Sequence, residues 1–124
     1  MDSRIIHCII VGDCPDMRRL IRDTLVKHRP QARTSEVSDH VSAMRIFQMA
    51  GADLMVIAQN LPRAIGSELV RALRLEKAYI PLVIVGDPSV DHREALAAGV
   101  THVIEKNKIA ESMAYYLPVW LPEK

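Results

Sequence analysis

Residues 53–68 read DLMVIAQNLPRAIGSE, and the rest of the fold can be worked out from this stretch. It contains an unbroken apolar run from Leu54 to Ala58. Such a run is typical of a strand buried on both faces of a parallel sheet, because a half-exposed strand would alternate apolar and polar residues. Leu61 and Pro62 then turn the chain, and a helix is predicted from about Ser67. The stretch therefore predicts a strand, a turn and a helix, which is the repeating unit of an α/β fold.

The loop after this strand contains no acidic residue. Open α/β sheets bind ligands in the crevice outside the carboxyl ends of their strands, and here Ala58, Gln59 and Asn60 would form that crevice. No Asp or Glu lies between Asp53 and Glu68, so a shift of one or two residues in the predicted register cannot conceal a carboxylate. We therefore expect a crevice without a carboxylate at the end of the third strand.

Four further strand-plus-helix units surround this one. Strands are predicted at residues 5–12, 33–37, 81–86 and 102–105, each followed by a helix. Strands one, three and four are apolar, whereas strands two and five are polar, as expected at the edges of a sheet. Right-handed crossovers with polar edge strands select the strand order 2-1-3-4-5. The sequence thus predicts a flavodoxin-like (βα)5 fold, in which a parallel five-stranded sheet lies between two layers of helices.

Capping and breaking residues give the helix boundaries. Asp16 is placed to cap the first helix. The last helix is predicted to run from about Lys108 to Leu117, where Pro118 closes it because proline lacks the amide hydrogen that a helix interior needs. We therefore predict one domain at residues 1–118 and a C-terminal tail at 119–124.

Composition excludes several classes of protein. The 124 residues suit one domain, and a net charge of +1 without a basic block argues against nucleic-acid or membrane-surface binding. Four cations of the first helix are expected to lie on a solvated helix surface, namely Arg18, Arg19, Arg22 and Lys27. Cys8 and Cys14 form neither a metal nor a redox motif, and no apolar run is long enough to span a membrane. We expect a cytoplasmic protein without a membrane segment.

Short features spaced along essentially the whole chain form one pattern. They are Ile9 to Asp13, Asp53-Leu54, Leu61-Pro62, Gly66, Glu68, Leu69, Ile80-Pro81, Ala98-Gly99 and Lys106. Their order and spacing resemble those of the response-regulator receiver domain, the phosphoaccepting module of two-component signalling. The resemblance implies a role in bacterial signal transduction with a protein partner.

Most residues that carry the family's phosphoryl chemistry are missing. The resemblance implies a phosphoaccepting Asp at the end of strand three, where this chain has Ala58. It also implies a pair of acids that bind magnesium after strand one, where this chain has Gly12 and Asp13. A Ser or Thr is implied at the end of strand four, where this chain has Gly86. An acyl phosphate needs a carboxylate nucleophile, and Asp13 with a backbone carbonyl would hold magnesium poorly. We therefore expect no phosphotransfer, no catalytic residue and no cofactor, and so no enzyme activity.

Three more positions complete the former phosphorylation pocket and its switch. Val103 stands where the family has an aromatic residue that reorients on activation. Lys106 is retained, and we expect it to form an ion pair with Asp13 or Asp87 rather than to bind a ligand. Asp87 itself is expected to cap the helix or turn that follows it, as in Asp-Pro, and metal binding by Asp13 together with Asp87 is the alternative.

Three of the five aromatic residues, Tyr115, Tyr116 and Trp120, fall within the last ten residues. Tyr116 continues the apolar stripe of the last helix, but Tyr115 and Trp120 do not share that face. Exposed Tyr and Trp often anchor interfaces, and the family commonly uses the face of helix four, strand five and helix five for dimers or partners. We expect this chain to use the same face. The alternative is that Trp120 folds back onto its own domain.

The sequence therefore predicts a pseudo-receiver, that is, a phosphorylation-independent protein-interaction module. One alternative is a ligand-binding module, in which a small molecule or nucleotide enters the crevice emptied at Gly12, Ala58 and Gly86. The other is a magnesium-dependent phosphoacceptor that uses Asp13 or Asp87.

Overall fold

The computed structural model describes residues 5–58, 63–76, 78–87 and 92–122, and strands alternate with helices throughout them. The elements are β1 (His7–Val11), α1 (Pro15–His28), β2 (Arg33–Val37), α2 (His40–Ala50), β3 (Leu54–Ala58), α3 (Arg63–Leu75), β4 (Leu82–Gly86), α4 (Arg93–Ala98), β5 (His102–Glu105) and α5 (Ile109–Trp120). A short 3₁₀ turn, Lys106–Lys108, leads from β5 into α5. Among the described residues, none of the helices is long and apolar enough to cross a membrane.

The strands form one parallel sheet in the order β2-β1-β3-β4-β5. This order confirms the predicted flavodoxin-like fold. The register aligns Val11 of β1 with Ile57 of β3, and Ala58 of β3 with Val85 of β4. Because parallel strands all end at the same edge of the sheet, this register brings the carboxyl ends of β1, β3 and β4 side by side.

The unbroken apolar run of β3 is explained by two hydrophobic cores, one on each face of the sheet. Leu54, Val56 and Ala58 point into a first core that also contains residues of α1 and α5. Met55 and Ile57 point into a second core that contains residues of α2, α3 and α4. Successive side chains of a strand face opposite sides, so a strand covered on both sides must be apolar throughout.

The predicted start of α1 is wrong by two residues. The helix begins at Pro15 with Cys14 at the N-cap position, and no side chain caps it. Proline is well suited to the first turn, since the amide hydrogen it lacks would have no helical partner there. Asp16 instead lies inside the first turn, where its carboxylate is 3.4 Å from Nη1 of Arg19. Asp16 therefore favours the helix through its charge near the N-terminus rather than as a cap.

The predicted end of α5 is also wrong. The helix continues through Pro118 to Trp120. Proline so close to a helix end removes one backbone hydrogen bond, to the carbonyl of Ala114, and leaves the preceding turns intact. Trp120 and Leu121 are 3% and 5% exposed and belong to the first core, so their burial favours the extra turn. The first residues of the predicted tail thus pack as part of the domain.

Arg74, in the last turn of α3, connects α3 and α4, which cover the second core, to the sheet. Its guanidinium donates hydrogen bonds to the carbonyls of Ala78 at 2.7 Å and Ile80 at 3.0 Å, just before β4. It also donates to the carbonyl of Gly99 at 2.7 Å, directly after α4. Gly99 has a φ of 118°, a conformation that glycine adopts without strain. The Arg74 side chain therefore donates to carbonyls in two connections, the one from α3 to β4 and the one from α4 to β5.

Candidate functional site

The carboxyl end of β3 meets the residue that follows β1 in direct contact. Ala58 is 4% exposed, and a Cβ added to Gly12 would lie 3.0 Å from Cβ of Ala58 and 3.2 Å from its carbonyl oxygen. These distances are tighter than ordinary van der Waals contact. The two small residues therefore pack against each other at the positions predicted to correspond to acids of the family. Gln59 and Asn60, which were predicted to continue the crevice, lie outside the described residues.

The end of β4 is filled by a side chain that the sequence did not reveal. A Cβ added to Gly86 would lie 2.6 Å from Cε1 and 3.0 Å from Nε2 of His92. The Nε2 atom lies 3.1 Å from the carbonyl oxygen of Asp87, and because a carbonyl only accepts, the ring nitrogen donates. The room expected beside Gly86 is thus occupied by an imidazole ring.

Lys106 pairs with Asp87, which selects one of the two partners predicted for it. The Nζ atom lies 3.5 Å from Oδ2 of Asp87, and both side chains are 44% exposed. Asp13 is itself exposed. An ion pair at this exposure contributes little to stability, but it places the retained lysine across the end of β4.

Arg18 reaches the crevice, although the sequence suggested a solvated surface residue. Its Nη1 donates to the carbonyl of Gly12, and its Nε lies 3.5 Å from Oε1 of Glu36. Only 16% of its side chain is exposed, so the expectation of a solvated residue is wrong for Arg18. Its position one turn into α1 lets the side chain lie back over the end of β1.

The donor set does not fit the magnesium ion that the family uses. Gly12 and Ala58 supply no carboxylate, and the Gly12 carbonyl already accepts a hydrogen bond from a guanidinium. Magnesium requires near-octahedral oxygen ligands, usually including carboxylates. Within residues 5–58, 63–76, 78–87 and 92–122, no group of three or more His, Cys, Asp or Glu side chains is arranged to hold a metal ion.

Val103, which was predicted to occupy the family's aromatic switch position, is half-buried and packs against the second core. Its neighbour His102 points to the opposite face of β5, toward α5, as alternation along a strand requires. A valine here has neither an aromatic ring nor a hydroxyl group that could move between a buried and an exposed position.

Trp120 folds back onto its own domain, so its prediction as an exposed interface anchor is wrong. It is 3% exposed, and its Nε1 donates to Nδ1 of His102 at 2.9 Å. The ring of Tyr116 packs beside both, with its centroid 4.3 Å from that of His102 and 5.4 Å from that of Trp120, so the three rings form a triangular cluster. The extra turn of α5 carries Trp120 round to the core side of the helix, which the predicted end at Leu117 could not anticipate.

Tyr115 remains at the surface as an interface candidate. It is 75% exposed and meets Tyr116 edge-on, with ring centroids 4.9 Å apart. Val119, one turn further along α5, is 67% exposed, and Leu96 of α4 is 49% exposed. The face formed by α4, β5 and α5 therefore carries exposed apolar side chains on both helices.

Comparison with solved structures shows the fold. The phosphorylated cyanobacterial phytochrome response regulator RcpA superposes with a TM-score of 0.81, covering 96% of each chain at 19% sequence identity. The chemotaxis response regulator CheY4 of Vibrio cholerae superposes with a TM-score of 0.78, covering 95% of this chain and 100% of that one at 23% identity.

Comparison with curated sequences gives the family. The chain is 31% identical over 103 residues to the regulatory protein VirG of Agrobacterium tumefaciens, covering 81% of this chain. It spans only 38% of the length of that relative. Residues 8–115 match the family described as the response regulator receiver domain. Since the match extends over most of the chain and the fold agrees with it, the protein belongs to the response regulator receiver domain family.

Proposed function

We propose that this chain is a pseudo-receiver, a receiver domain that works as a protein-interaction module in bacterial two-component-type signalling without accepting a phosphoryl group. The observation that carries the proposal is Ala58, which ends β3 with a methyl group packed against Gly12. Phosphoryl transfer to a receiver domain requires a carboxylate nucleophile, and a methyl group cannot supply one.

Two further positions support the loss of a phosphoryl-dependent switch. Gly86 has no hydroxyl with which to hold a phosphoryl oxygen, and His92 fills the space beside it. Val103 has no ring to reorient. A ligand shifts a conformational equilibrium only through contacts that differ between the two states. Here the hydroxyl and the aromatic ring that would make those contacts are absent, so we expect the domain to present one constant surface.

The face of α4, β5 and α5 is the proposed docking surface. Tyr115, Val119 and Leu96 expose apolar area there. Tyrosine is favoured at interfaces because it offers a large rigid contact area together with a polar tip. The partner we propose is a protein of the same signalling pathway or a second copy of this chain.

The test of phosphorylation independence is direct. The protein is incubated with magnesium and acetyl phosphate, or with beryllofluoride, and its mass and amide NMR spectrum are followed. A receiver domain with intact acids serves as the positive control. We expect no covalent adduct and no spectral change. An adduct mapped to Asp13 or Asp87 would revive the phosphoacceptor alternative, and saturable shifts with a panel of nucleotides would favour the ligand-binding one.

The docking surface is tested with two matched variants. Tyr115→Ala removes an exposed tyrosine from α5, and Tyr79→Ala removes one of similar exposure, 78%, from the connection before β4. We expect Tyr115→Ala to weaken self-association in sedimentation velocity, or capture of the partner once it is known, while Tyr79→Ala leaves both unchanged. If Tyr115→Ala and Tyr79→Ala showed the same self-association and the same partner capture, the proposed docking surface would be wrong.

A further inference from the structure

We infer that His92 is an internal plug, whose imidazole ring occupies the space beside Gly86 and thereby holds the start of α4 against the end of β4. The inference rests on the proposed function, because it explains how the docking face keeps one arrangement without a phosphoryl group. It concerns residues that sequence reasoning did not connect, since six positions separate Gly86 from His92.

The direction of the ring is the first observation. His92 stands at the N-cap position of α4, yet its side chain makes no capping hydrogen bond. Its backbone carbonyl accepts from the amide of Leu96 at 3.1 Å, as the carbonyl of an N-cap residue should. The ring instead turns toward β4 and donates to the carbonyl of Asp87 at 3.1 Å. The side chain therefore connects the helix to the sheet.

The fit of the ring is the second observation. A Cβ at position 86 would lie 2.6 Å from Cε1 of His92, a separation that real Cβ atoms do not show. A side chain at position 86 and the inward-turned ring are therefore mutually exclusive. Because the ring is the far end of a rotatable side chain, a larger residue at position 86 would displace it instead of unfolding the strand.

Asp87 also connects the His92 ring to the end of the neighbouring strand, β5. Asp87, whose carbonyl holds the ring, also places Oδ2 3.5 Å from Nζ of Lys106 at the end of β5. The start of α4, the end of β4 and the end of β5 are thus linked through one aspartate. If α4 moved away from the sheet, it would break the hydrogen bond from His92 and leave the space beside Gly86 empty. Both consequences oppose the movement.

A double-mutant cycle tests the plug. Gly86→Ala should expel the ring, His92→Ala should remove it, and the double variant should resemble His92→Ala, because the methyl group introduced at position 86 then meets no ring. Each single variant should speed hydrogen exchange of the amides in α4 by about five- to tenfold, the effect of losing one hydrogen bond. Ala97→Gln, an exposed change in the same helix to another good helix former, is the matched control and should change exchange by less than about twofold.

The imidazole NMR signals of His92 give a second readout, which should shift in Gly86→Ala while circular dichroism remains that of the folded domain. The inference about His92 would be wrong if the effects of Gly86→Ala and His92→Ala on exchange were additive, or if the His92 signals did not shift in Gly86→Ala. Neither result would contradict the proposed function. A phosphoryl adduct on the unmodified protein would overturn the proposed function, while the coupling between residues 86 and 92 would still support the plug as a structural contact.

Discussion

Replacing Trp120 by alanine should remove a large part of the stability of the domain. The side chain is 3% exposed and belongs to the first core. Its Nε1 donates to Nδ1 of His102 at 2.9 Å, and its ring stacks on Tyr116 with an interplanar angle of 13°. The substitution therefore removes an aromatic core residue, a hydrogen bond and a ring contact together.

The expected magnitude follows from these contacts. Truncation of a buried aromatic residue to alanine costs about 3–5 kcal/mol, because apolar burial is lost and the cavity closes only partly. A domain of this kind is stable by about 5–15 kcal/mol, so Trp120→Ala should unfold at much lower urea concentrations than the unmodified protein. Trp120→Phe keeps most of the apolar ring but loses the hydrogen bond to His102, and should cost about 1–2 kcal/mol.

The assay is equilibrium unfolding in urea followed by circular dichroism, since Trp120 is the single tryptophan and fluorescence would lose its probe. Tyr79→Ala, which removes a 78% exposed tyrosine far from this cluster in sequence, is the surface control and should change the free energy of unfolding by less than about 0.5 kcal/mol. A loss below about 1 kcal/mol for Trp120→Ala would refute core packing of this side chain. If Trp120→Ala instead had normal stability but weaker self-association, Trp120 would be an interface residue.

Three further outcomes are expected. Arg74→Met keeps the aliphatic stem but takes this donor away from the carbonyls of Ala78, Ile80 and Gly99, and should lower the free energy of unfolding by about 2–3 kcal/mol in urea titrations; an unchanged midpoint would contradict this. A thiol reagent at about pH 8 should label Cys14 but not Cys8 in the native protein, because burial raises the pKa of the Cys8 thiol to about 12; labelling of both thiols would contradict it. Gly12→Ala should cost about 1–3 kcal/mol, because the new methyl group meets Ala58 at 3.0 Å; a stability equal to that of the unmodified protein would show that the contact relaxes freely.

Elements with strong periodic signals were predictable from the sequence. The bounds of β2, β3 and β5 agree with the structure, because polar edge strands and a doubly buried central strand have compositions that helices do not share. The strand order followed from the same contrast. The end of α5 was not predictable, because Pro118 is a strong local signal and the burial that overrides it involves residues far away in sequence.

The chemistry of the site divides in the same way. The apolar run of β3 predicts which side chain stands at its carboxyl end, so the position of Ala58 could be predicted from the sequence. Two residues that shape the site were not recognised. Arg18 looked like one of several helix-surface cations, and His92 looked like an ordinary residue before a short helix. Each becomes part of the site through a contact with the end of a strand, to Gly12 and Gly86 respectively.

From the order of its amino acids alone, this chain specifies a parallel sheet of five strands whose third strand ends in alanine, since both depend on residue type and local pattern. Tertiary structure alone decides that Lys106 pairs with Asp87 rather than Asp13, that an imidazole fills the end of β4, and that Trp120 lies in the core. These outcomes depend on where side chains from distant elements meet, and a pattern of apolar and polar residues does not record those distances.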